Sequence, residues 1–297
     1  MNIYNIRLTG GNEWNILSSD SADQWVDNLA NIMELKPSSI NSFPKLIFIK
    51  GEPLNDFNDI KRYIDPNIIN DIPSSGWNIH RLRTIRLWFH PDVADVICEL
   101  GNENEYEREI LMMWESSYIF HKQVQRKGGL PIHGALIERD GKGILLAAPG
   151  GTGKSTCCRR IPSEWHVLGD DEAIVIPDEN GNYIAHPFPT WSEYYWKRSK
   201  PTWKVENGVK LSAMFFLEQS SNDLAIPLGR GESAVFINQA STQVLSRSWI
   251  NISKEERNLF KRNLFIIASK LSSSVASYKL LVSLHGKFWE EMQLVNN

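Results

Sequence analysis

Residues 143–156 read GILLAAPGGTGKST, and this stretch decides the fold. The apolar run 143–147 predicts a short buried strand, a glycine-dense turn follows it, and Lys154 then opens a helix. This order is typical of a phosphate-binding loop, because glycines let backbone N–H groups curl around an anion and the helix N-terminus adds its dipole. The stretch therefore predicts a nucleotide-binding site.

The residues of this loop divide between phosphate and metal contacts. Lys154 can reach the β- and γ-phosphates of a nucleotide, and the Ser155 hydroxyl can bind Mg²⁺. Ala148 stands where the G-x-x-x-x-G-K-[ST] pattern has its first glycine, which is tolerable if its φ is negative. A glycine-rich turn with a chance Gly-Lys-Ser is the alternative. The predicted nucleotide contacts are Pro149, Gly150, Gly151, Thr152, Gly153, Lys154, Ser155 and Thr156.

Two aspartates follow the loop closely. Residues 165–169 predict a second strand that runs directly into Asp170 and Asp171. A strand, a loop, a short helix and a strand predict a compact βαβ unit, in which the carboxyl end of the second strand lies beside the phosphate loop. Phosphoryl transfer needs a carboxylate for Mg²⁺ and, in a kinase, one that accepts the hydroxyl proton. A solvated Asp-Asp-Glu turn is the alternative.

Two further residues are candidates for the same site. His133 lies on a predicted strand that an Asp-Gly turn connects to the phosphate-loop strand, so it would lie next to the loop. Glu193 ends a proline-containing segment, 186–193, and is a candidate metal or substrate contact, with a surface role as the alternative.

The stretch after Glu193 is both basic and aromatic. Lys197, Arg198, Lys200 and Lys204 lie there among aromatic residues, with Trp191 just before the stretch and Trp196 and Trp203 within it, and we predict a mobile loop that closes on a substrate or partner. A solvated basic face, with tryptophans that only pack, is the alternative.

Composition excludes several classes of protein. The 297 residues suit one large domain or two smaller ones, and 42% hydrophobic with 23% charged residues is an ordinary globular balance. The net charge of −3 gives no electrostatic case for binding nucleic acid or a membrane surface. The apolar runs are strand-sized, and the N-terminus has no signal-peptide pattern. The three cysteines lack a disulfide or zinc spacing, so we expect a cytoplasmic protein.

The pattern divides the chain into three parts. Residues 1–100 predict a smaller α+β N-terminal domain. Within residues 101–129, apolar positions recur at helical spacing over 103–127, which predicts a connecting helix that a Gly-Gly pair ends. Residues 130–297 predict an α/β nucleotide-binding domain with a mixed sheet, since the phosphate-loop strand has an antiparallel neighbour.

The region from residue 130 to about residue 240 resembles the HPr kinase/phosphorylase superfamily. The matching residues are the run His133-Gly134-Ala135-Leu136, the loop 148–155, the very short helix after it, and Leu168-Gly169-Asp170-Asp171. The resemblance implies a P-loop (Walker A) domain with an HPr kinase-like fold that binds ATP and Mg²⁺, with His133 near the phosphates. It also implies that the aspartates serve as general base and metal ligand. On this basis Asp170 is assigned as the base and Asp171 as the Mg²⁺ ligand, with the order open.

The chain departs from the bacterial regulatory enzymes of that superfamily. It has no clear match to their glycine-rich signature after the hairpin, and its first hundred residues look unlike theirs, so HPr is not the expected substrate. The whole chain is more similar to HPr-kinase-like proteins of peptide-modification cassettes, of the SynChlorMet cassette type. Lasso-peptide kinases of the superfamily phosphorylate a serine of a precursor peptide. The resemblance therefore implies a peptide or small-protein acceptor, and it leaves homo-oligomerisation open.

These observations predict an ATP- and Mg²⁺-dependent serine kinase. Lys154 would neutralise phosphate charge, Asp170 would take the hydroxyl proton, and His133 would position phosphate or substrate. Two alternatives are a nucleotide-dependent hydrolase or phosphorylase of the same fold, and a non-catalytic carrier in which bound nucleotide orders the Trp191–Trp203 stretch.

Overall fold

A computed structural model describes residues 2–69, 72–250 and 252–295. The chain divides into two compact units, the first comprising Met1–Phe120 with Trp191–Thr202 and the second His121–Thr190 with Trp203–Asn297. Each unit holds one mixed β-sheet, so the predicted mixed α/β class is confirmed. None of the helices in the described ranges has the length and apolar content needed to cross a bilayer.

The elements are numbered in chain order. The strands of the first sheet are β1 (Tyr4–Leu8), β2 (Asn12–Ser18), β3 (Lys45–Lys50), β4 (Asn78–Arg81), β5 (Ile85–Phe89) and β6 (Val96–Leu100). The strands of the second sheet are β7 (Leu130–Arg139), β8 (Lys142–Ala147), β9 (His166–Gly169), β10 (Glu172–Pro177), β11 (Tyr183–Phe188), β12 (Val209–Gln219), β13 (Leu224–Pro227) and β14 (Ala276–Val282). The helices are α1 (Asp23–Ile32), α2 (Phe57–Ile60), α3 (Pro66–Ile69), α4 (Tyr106–Arg126), α5 (Lys154–Arg160), α6 (Trp191–Lys197), α7 (Arg230–Leu245), α8 (Lys254–Ser274) and α9 (Phe288–Leu294).

The sheet of the first unit has the order β1-β2-β3-β6-β5-β4. Its central strands β2, β3 and β6 run parallel, and the flanking pairs are antiparallel. Ile47 and Ile97 of adjacent strands pack in one apolar cluster with Phe57 and Ile60 of α2. Burial of this face against short helices gives the first unit a core of its own.

The sheet of the second unit is covered by helices on both faces. Its order is β11-β10-β7-β8-β12-β14-β13, and β9 also pairs with β7. Alternate residues of a strand point to opposite faces. Ile132 and Leu136 of β7 accordingly belong to the cluster that includes α7 and α8 residues, whereas Ala135 and Ile137 belong to the cluster that includes α5 and α9 residues. The glycine-rich loop between β8 and α5 thus leaves a sheet that is buried on both sides.

The geometry around β7 confirms the predicted hairpin and βαβ unit. Asp140 and Gly141 adopt φ values of 54° and 76°, as a type I′ turn requires. β7 is antiparallel to both β8 and β9, so the two strands that flank α5 run parallel with β7 between them. Gly134 of β7 pairs with Ala147 at the end of β8, and its N–H donates to the Asp171 carbonyl at 3.0 Å. One residue of β7 therefore separates the acidic pair from the strand that leads into the glycine-rich loop.

The division between the units differs from the predicted boundaries at residues 100 and 130. Helix α4, which agrees with the predicted connecting helix, contributes residues to both units, because the division falls after Phe120. Trp191–Thr202 belongs to the first unit, whereas we had predicted it as part of the nucleotide domain, and it begins with helix α6 where a mobile loop was expected. Hydrogen bonds explain this: Trp191 Nε1 donates to Ser117 Oγ at 2.9 Å, and the Tyr106 hydroxyl donates to the Tyr194 carbonyl at 3.1 Å.

Candidate active site

The loop between β8 and α5 depends on glycine for its conformation. Gly151 and Gly153 adopt positive φ values of 80° and 114°, whereas Gly150 and Ala148 do not. The expectation that alanine is tolerated at residue 148 is therefore met. A Cβ atom built on Gly150, Gly151 or Gly153 would meet no atom within 4 Å, so the space beside all three is open. Glycine is required at two of these positions by the backbone and at none of them by crowding.

A matched pair of substitutions distinguishes the effect of backbone conformation from the effect of available space at this loop. We expect Gly151→Ala to lower the free energy of unfolding by about 1 kcal/mol, because an L-residue with a Cβ is strained at positive φ. Gly150→Ala should change it by less than about 0.5 kcal/mol, since neither φ nor contacts oppose the methyl group. Urea denaturation of both variants measures the difference. Equal free energies would show that the loop of the protein in solution does not hold Gly151 at positive φ.

Lys154 is the buried cation of the site. Its side chain is only 7% exposed, and its Nζ donates to the Ala148 carbonyl and lies against His133 Nε2, both at 2.8 Å. Burial lowers the pKa of Lys154, while the nearby carboxylates of Asp171 and Asp170 raise it. An ammonium group has three N–H donors, so two of them are directed at the protein and a third can serve a phosphate oxygen.

His133 lies between this cation and Asp171. An ammonium group cannot accept a hydrogen bond, so His133 Nε2 must accept from Lys154 and the imidazole proton must reside on Nδ1. His133 Nδ1 lies 3.3 Å from Asp171 Oδ1, where that proton meets a carboxylate. Burial and the charge of Lys154 lower the pKa of His133, against the opposing effect of Asp171. The imidazole is therefore neutral at pH 7 and links Lys154 to Asp171 in one tautomer.

The two aspartates are held in different ways. Burial raises the pKa of Asp171, although His133 and Lys154 oppose the shift, so a cation at this carboxylate would relieve part of the cost of its burial. Asp170 Oδ1 accepts a hydrogen bond from the Thr190 hydroxyl at 3.1 Å. Burial chiefly, and then the charge of Asp170, raise the pKa of Cys158 on α5 to about 12. Helix α5 also carries Ser155 in its first turn.

The structure groups most of the predicted site residues in the second unit but leaves Glu193 out of that group. Glu193 is part of α6 in the first unit, where Lys197 and Ser199 bind its carboxylate. Burial raises the pKa of Glu193, but these hydrogen bonds outweigh it and hold the pKa below its usual value. This placement adds no support to the predicted metal role of Glu193.

The remaining candidates form a set suited to Mg²⁺ with a nucleotide. In the described parts of the chain, no three or more His, Cys, Asp or Glu side chains are arranged to hold a metal ion by themselves. Mg²⁺ in nucleotide sites commonly takes one or two protein oxygens and completes its shell with phosphate and water. Ser155 and a carboxylate from the acidic pair supply protein oxygens of this kind, so the residues fit the implied metal.

Four residues of this region were missed by sequence analysis. Gln219 Nε2 donates to the Thr152 carbonyl at 3.2 Å and so attaches the glycine-rich loop to the end of β12. His121 Nε2 lies 2.6 Å from Glu172 Oε1, beside the acidic pair, and Thr190 binds Asp170. Only Glu172 had a local signal, since it continues the acidic run. The others act through contacts that sequence spacing does not reveal.

A comparison with protein families identifies the region that carries this site. The family model described as SynChlorMet cassette protein ScmC matches residues 96–296, about two thirds of the chain. The chain belongs to the ScmC family. The ScmC match includes the glycine-rich loop, His133, Lys154 and both aspartates, as well as Thr190 and Gln219. No curated protein shows significant similarity to the chain.

Proposed function

We propose that the chain is an ATP- and Mg²⁺-dependent kinase that transfers the γ-phosphate to a serine hydroxyl of a precursor peptide or small protein. The proposal includes an HPr kinase-like P-loop fold for the second unit. The observation that carries it is the set of contacts from the Ala148 carbonyl through Lys154 and His133 to Asp171. These contacts bring a buried cation and a partly buried carboxylate together at the end of a glycine-rich loop, which is the charge arrangement that phosphoryl transfer needs.

The loop and Lys154 would bind the triphosphate. Helix α5 has only seven residues, so we assign binding to the backbone N–H groups of the open loop and to the third N–H of Lys154 rather than to a helix dipole. The contacts that hold Lys154 to Ala148 and His133 reduce the entropy lost when it meets a phosphate. Mg²⁺, when bound, neutralises charge on the phosphate oxygens. Ser155 and Asp171 would hold it.

Proton transfer completes the chemistry. The acceptor oxygen forms a bond to the γ-phosphorus, the bond from that phosphorus to the β,γ-bridging oxygen breaks, and ADP leaves with that oxygen. The serine proton passes to a carboxylate, for which we assign Asp170. Asp171 is the better candidate for the metal, because its burial favours a cation and His133 orients one of its oxygens. The neutral tautomer of His133 adds no charge that would repel Mg²⁺.

The membership in the ScmC family suggests which acceptors to test. The family description is that of a cassette protein, so the first acceptors to test are short peptides encoded beside the gene for this chain. We would incubate the full chain with ATP, MgCl₂ and these peptides and measure intact masses. We expect one peptide to gain a single phosphate, and fragmentation should locate it on a serine.

The alternative functions give different products in the same experiment. A hydrolase would consume ATP and release inorganic phosphate without a change in peptide mass. A nucleotide-gated carrier would bind ATP, as measured by calorimetry, and neither consume it nor modify the peptide. Either result, obtained with every peptide of the cassette, would overturn the kinase assignment.

A further inference from the structure

We propose that Thr190 is a positioning residue that fixes the carboxylate of Asp170 for proton transfer. This inference rests on the proposed kinase function. Its basis is the hydrogen bond from Thr190 Oγ1 to Asp170 Oδ1 at 3.1 Å, made by a threonine that is 2% exposed. The two residues are twenty positions apart, and their contact joins the end of one chain segment of the second unit to the bend between β9 and β10.

Asp170 needs a restraint from another residue because its own place in the chain restricts its side chain little. It lies in a bend outside both flanking strands, and the terminal torsion of an aspartate is broad rather than confined to three staggered wells. A hydrogen bond donated to Oδ1 limits the rotation of the carboxylate and leaves Oδ2 directed away from the donor. A carboxylate held in this way presents one oxygen reproducibly to an acceptor hydroxyl, which is what proximity and orientation require of a base.

Thr190 is well suited to act as a fixed donor. It follows Phe188 and Pro189, of which the first is fully buried and the second has a ring that fixes its φ. Threonine is branched at Cβ and therefore has few χ1 conformations. The residues before the hydroxyl therefore restrain its backbone within the second unit.

A structural role for the hydroxyl has to be separated from this positioning role. Threonine at the residue before a helix commonly accepts a hydrogen bond from a backbone N–H of the first turn. The bond to Asp170 uses the hydroxyl proton instead, and one hydroxyl can serve both purposes because it has one donor and two lone pairs. A capping role predicts lost stability, whereas a positioning role predicts a lower rate of transfer at unchanged nucleotide affinity.

The test compares Thr190→Val, which keeps the shape and removes the hydroxyl, with Thr190→Ser, which keeps the hydroxyl. The acceptor is the peptide that the wild-type chain phosphorylates. We expect Thr190→Val to lower kcat roughly 10- to 100-fold, the range for a hydrogen bond to a charged group, with the ATP dissociation constant unchanged. Thr190→Ser should restore kcat to within about threefold of wild type. Urea denaturation of both variants checks that they remain folded.

Several outcomes would overturn the inference. They are wild-type kcat in Thr190→Val, equal losses in the two variants, or a loss of ATP affinity in proportion to kcat. A second test uses Asp170→Asn: adding Thr190→Val to it should leave the residual single-turnover rate unchanged, because both substitutions act on one carboxylate. If the rate of the double variant were instead lowered by the product of the two single losses, Thr190 would act on a group other than Asp170. If the wild-type chain phosphorylates none of the peptides, the proposed function fails first, and this inference fails with it.

Discussion

Replacing Lys154 by methionine is expected to abolish ATP-dependent activity and to reduce phosphoryl transfer roughly 1,000-fold or more, with ATP binding weakened in parallel. Methionine has a similar length but cannot donate to phosphate. The protein should nevertheless stay folded. Burial lowers the pKa of Lys154, which means that the charge is costly where it lies, and its removal offsets part of the loss of the bonds to Ala148 and His133.

The control for this variant is Lys204→Met, which removes an exposed lysine of the same unit. Calorimetric titration with ATP and urea denaturation should be run on both. We expect both variants to unfold within about 2 kcal/mol of the wild-type free energy, and only Lys154→Met to lose nucleotide binding. Unimpaired ATP binding in Lys154→Met would contradict the phosphate-loop assignment, and a comparable loss in Lys204→Met would indicate non-specific attraction between lysines and phosphate.

The elements around the loop could be predicted because their signals are local. A continuous apolar run gives β8, an Asp-Gly pair gives the turn before it, and the helical period gives α4. Each of these signals reflects a backbone conformation that residues close together in the sequence favour by themselves. The carboxyl end of β9 could also be placed beside the loop, since the chirality of βαβ connections leaves few other arrangements.

Strand β2 shows why other elements of the fold could not be predicted. Its sequence, NEWNILS, carries polar residues at positions that are buried. The Asn15 side chain is satisfied by the carbonyls of Phe43 at 2.7 Å and Asn41 at 3.2 Å, more than twenty residues away. Burial of an asparagine is acceptable only with such partners, and their presence cannot be read from the strand itself.

The basic and aromatic stretch after Glu193 illustrates the same limit. Its composition predicts a mobile loop and does not show which of its tryptophans are buried: Trp191 is 1% exposed in the first unit and Trp203 is 5% exposed in the second. Trp196, in contrast, is 75% exposed. Tryptophans with equal local signals thus have different environments, because burial depends on which distant residues they meet.

Some residues of the candidate site could likewise be predicted from the sequence, and others could not. Lys154, His133 and the aspartates could be chosen from residue type and spacing, since the required chemistry is known. Only the folded structure shows the order of the contacts, in which neutral His133 lies between Lys154 and Asp171. It is also what shows the contacts of Thr190 and Gln219. A motif defines which atoms react, whereas the residues that hold them come from any part of the chain.

Asp170→Asn is expected to leave ATP binding intact and to lower phosphoryl transfer roughly 100- to 10,000-fold, the contribution of a general base. Asparagine keeps the shape of the side chain, and its amide oxygen can still accept the bond that Thr190 donates to Oδ1. It loses the ability to take a proton at pH 7. The variant should therefore show wild-type stability and a low transfer rate at saturating ATP and peptide, measured by single-turnover mass analysis.

Asp171→Asn provides the matched comparison, because it removes the neighbouring charge on the other candidate ligand. If Asp171 holds the metal, this variant should need a higher Mg²⁺ concentration for half-maximal transfer, while Asp170→Asn should keep the wild-type Mg²⁺ requirement. The reverse pattern would exchange the two roles and leave the kinase proposal in place. Near-wild-type transfer by both variants would contradict it, since no other carboxylate is assigned to accept the serine proton and the partly buried Asp171 would then serve only its contact with His133.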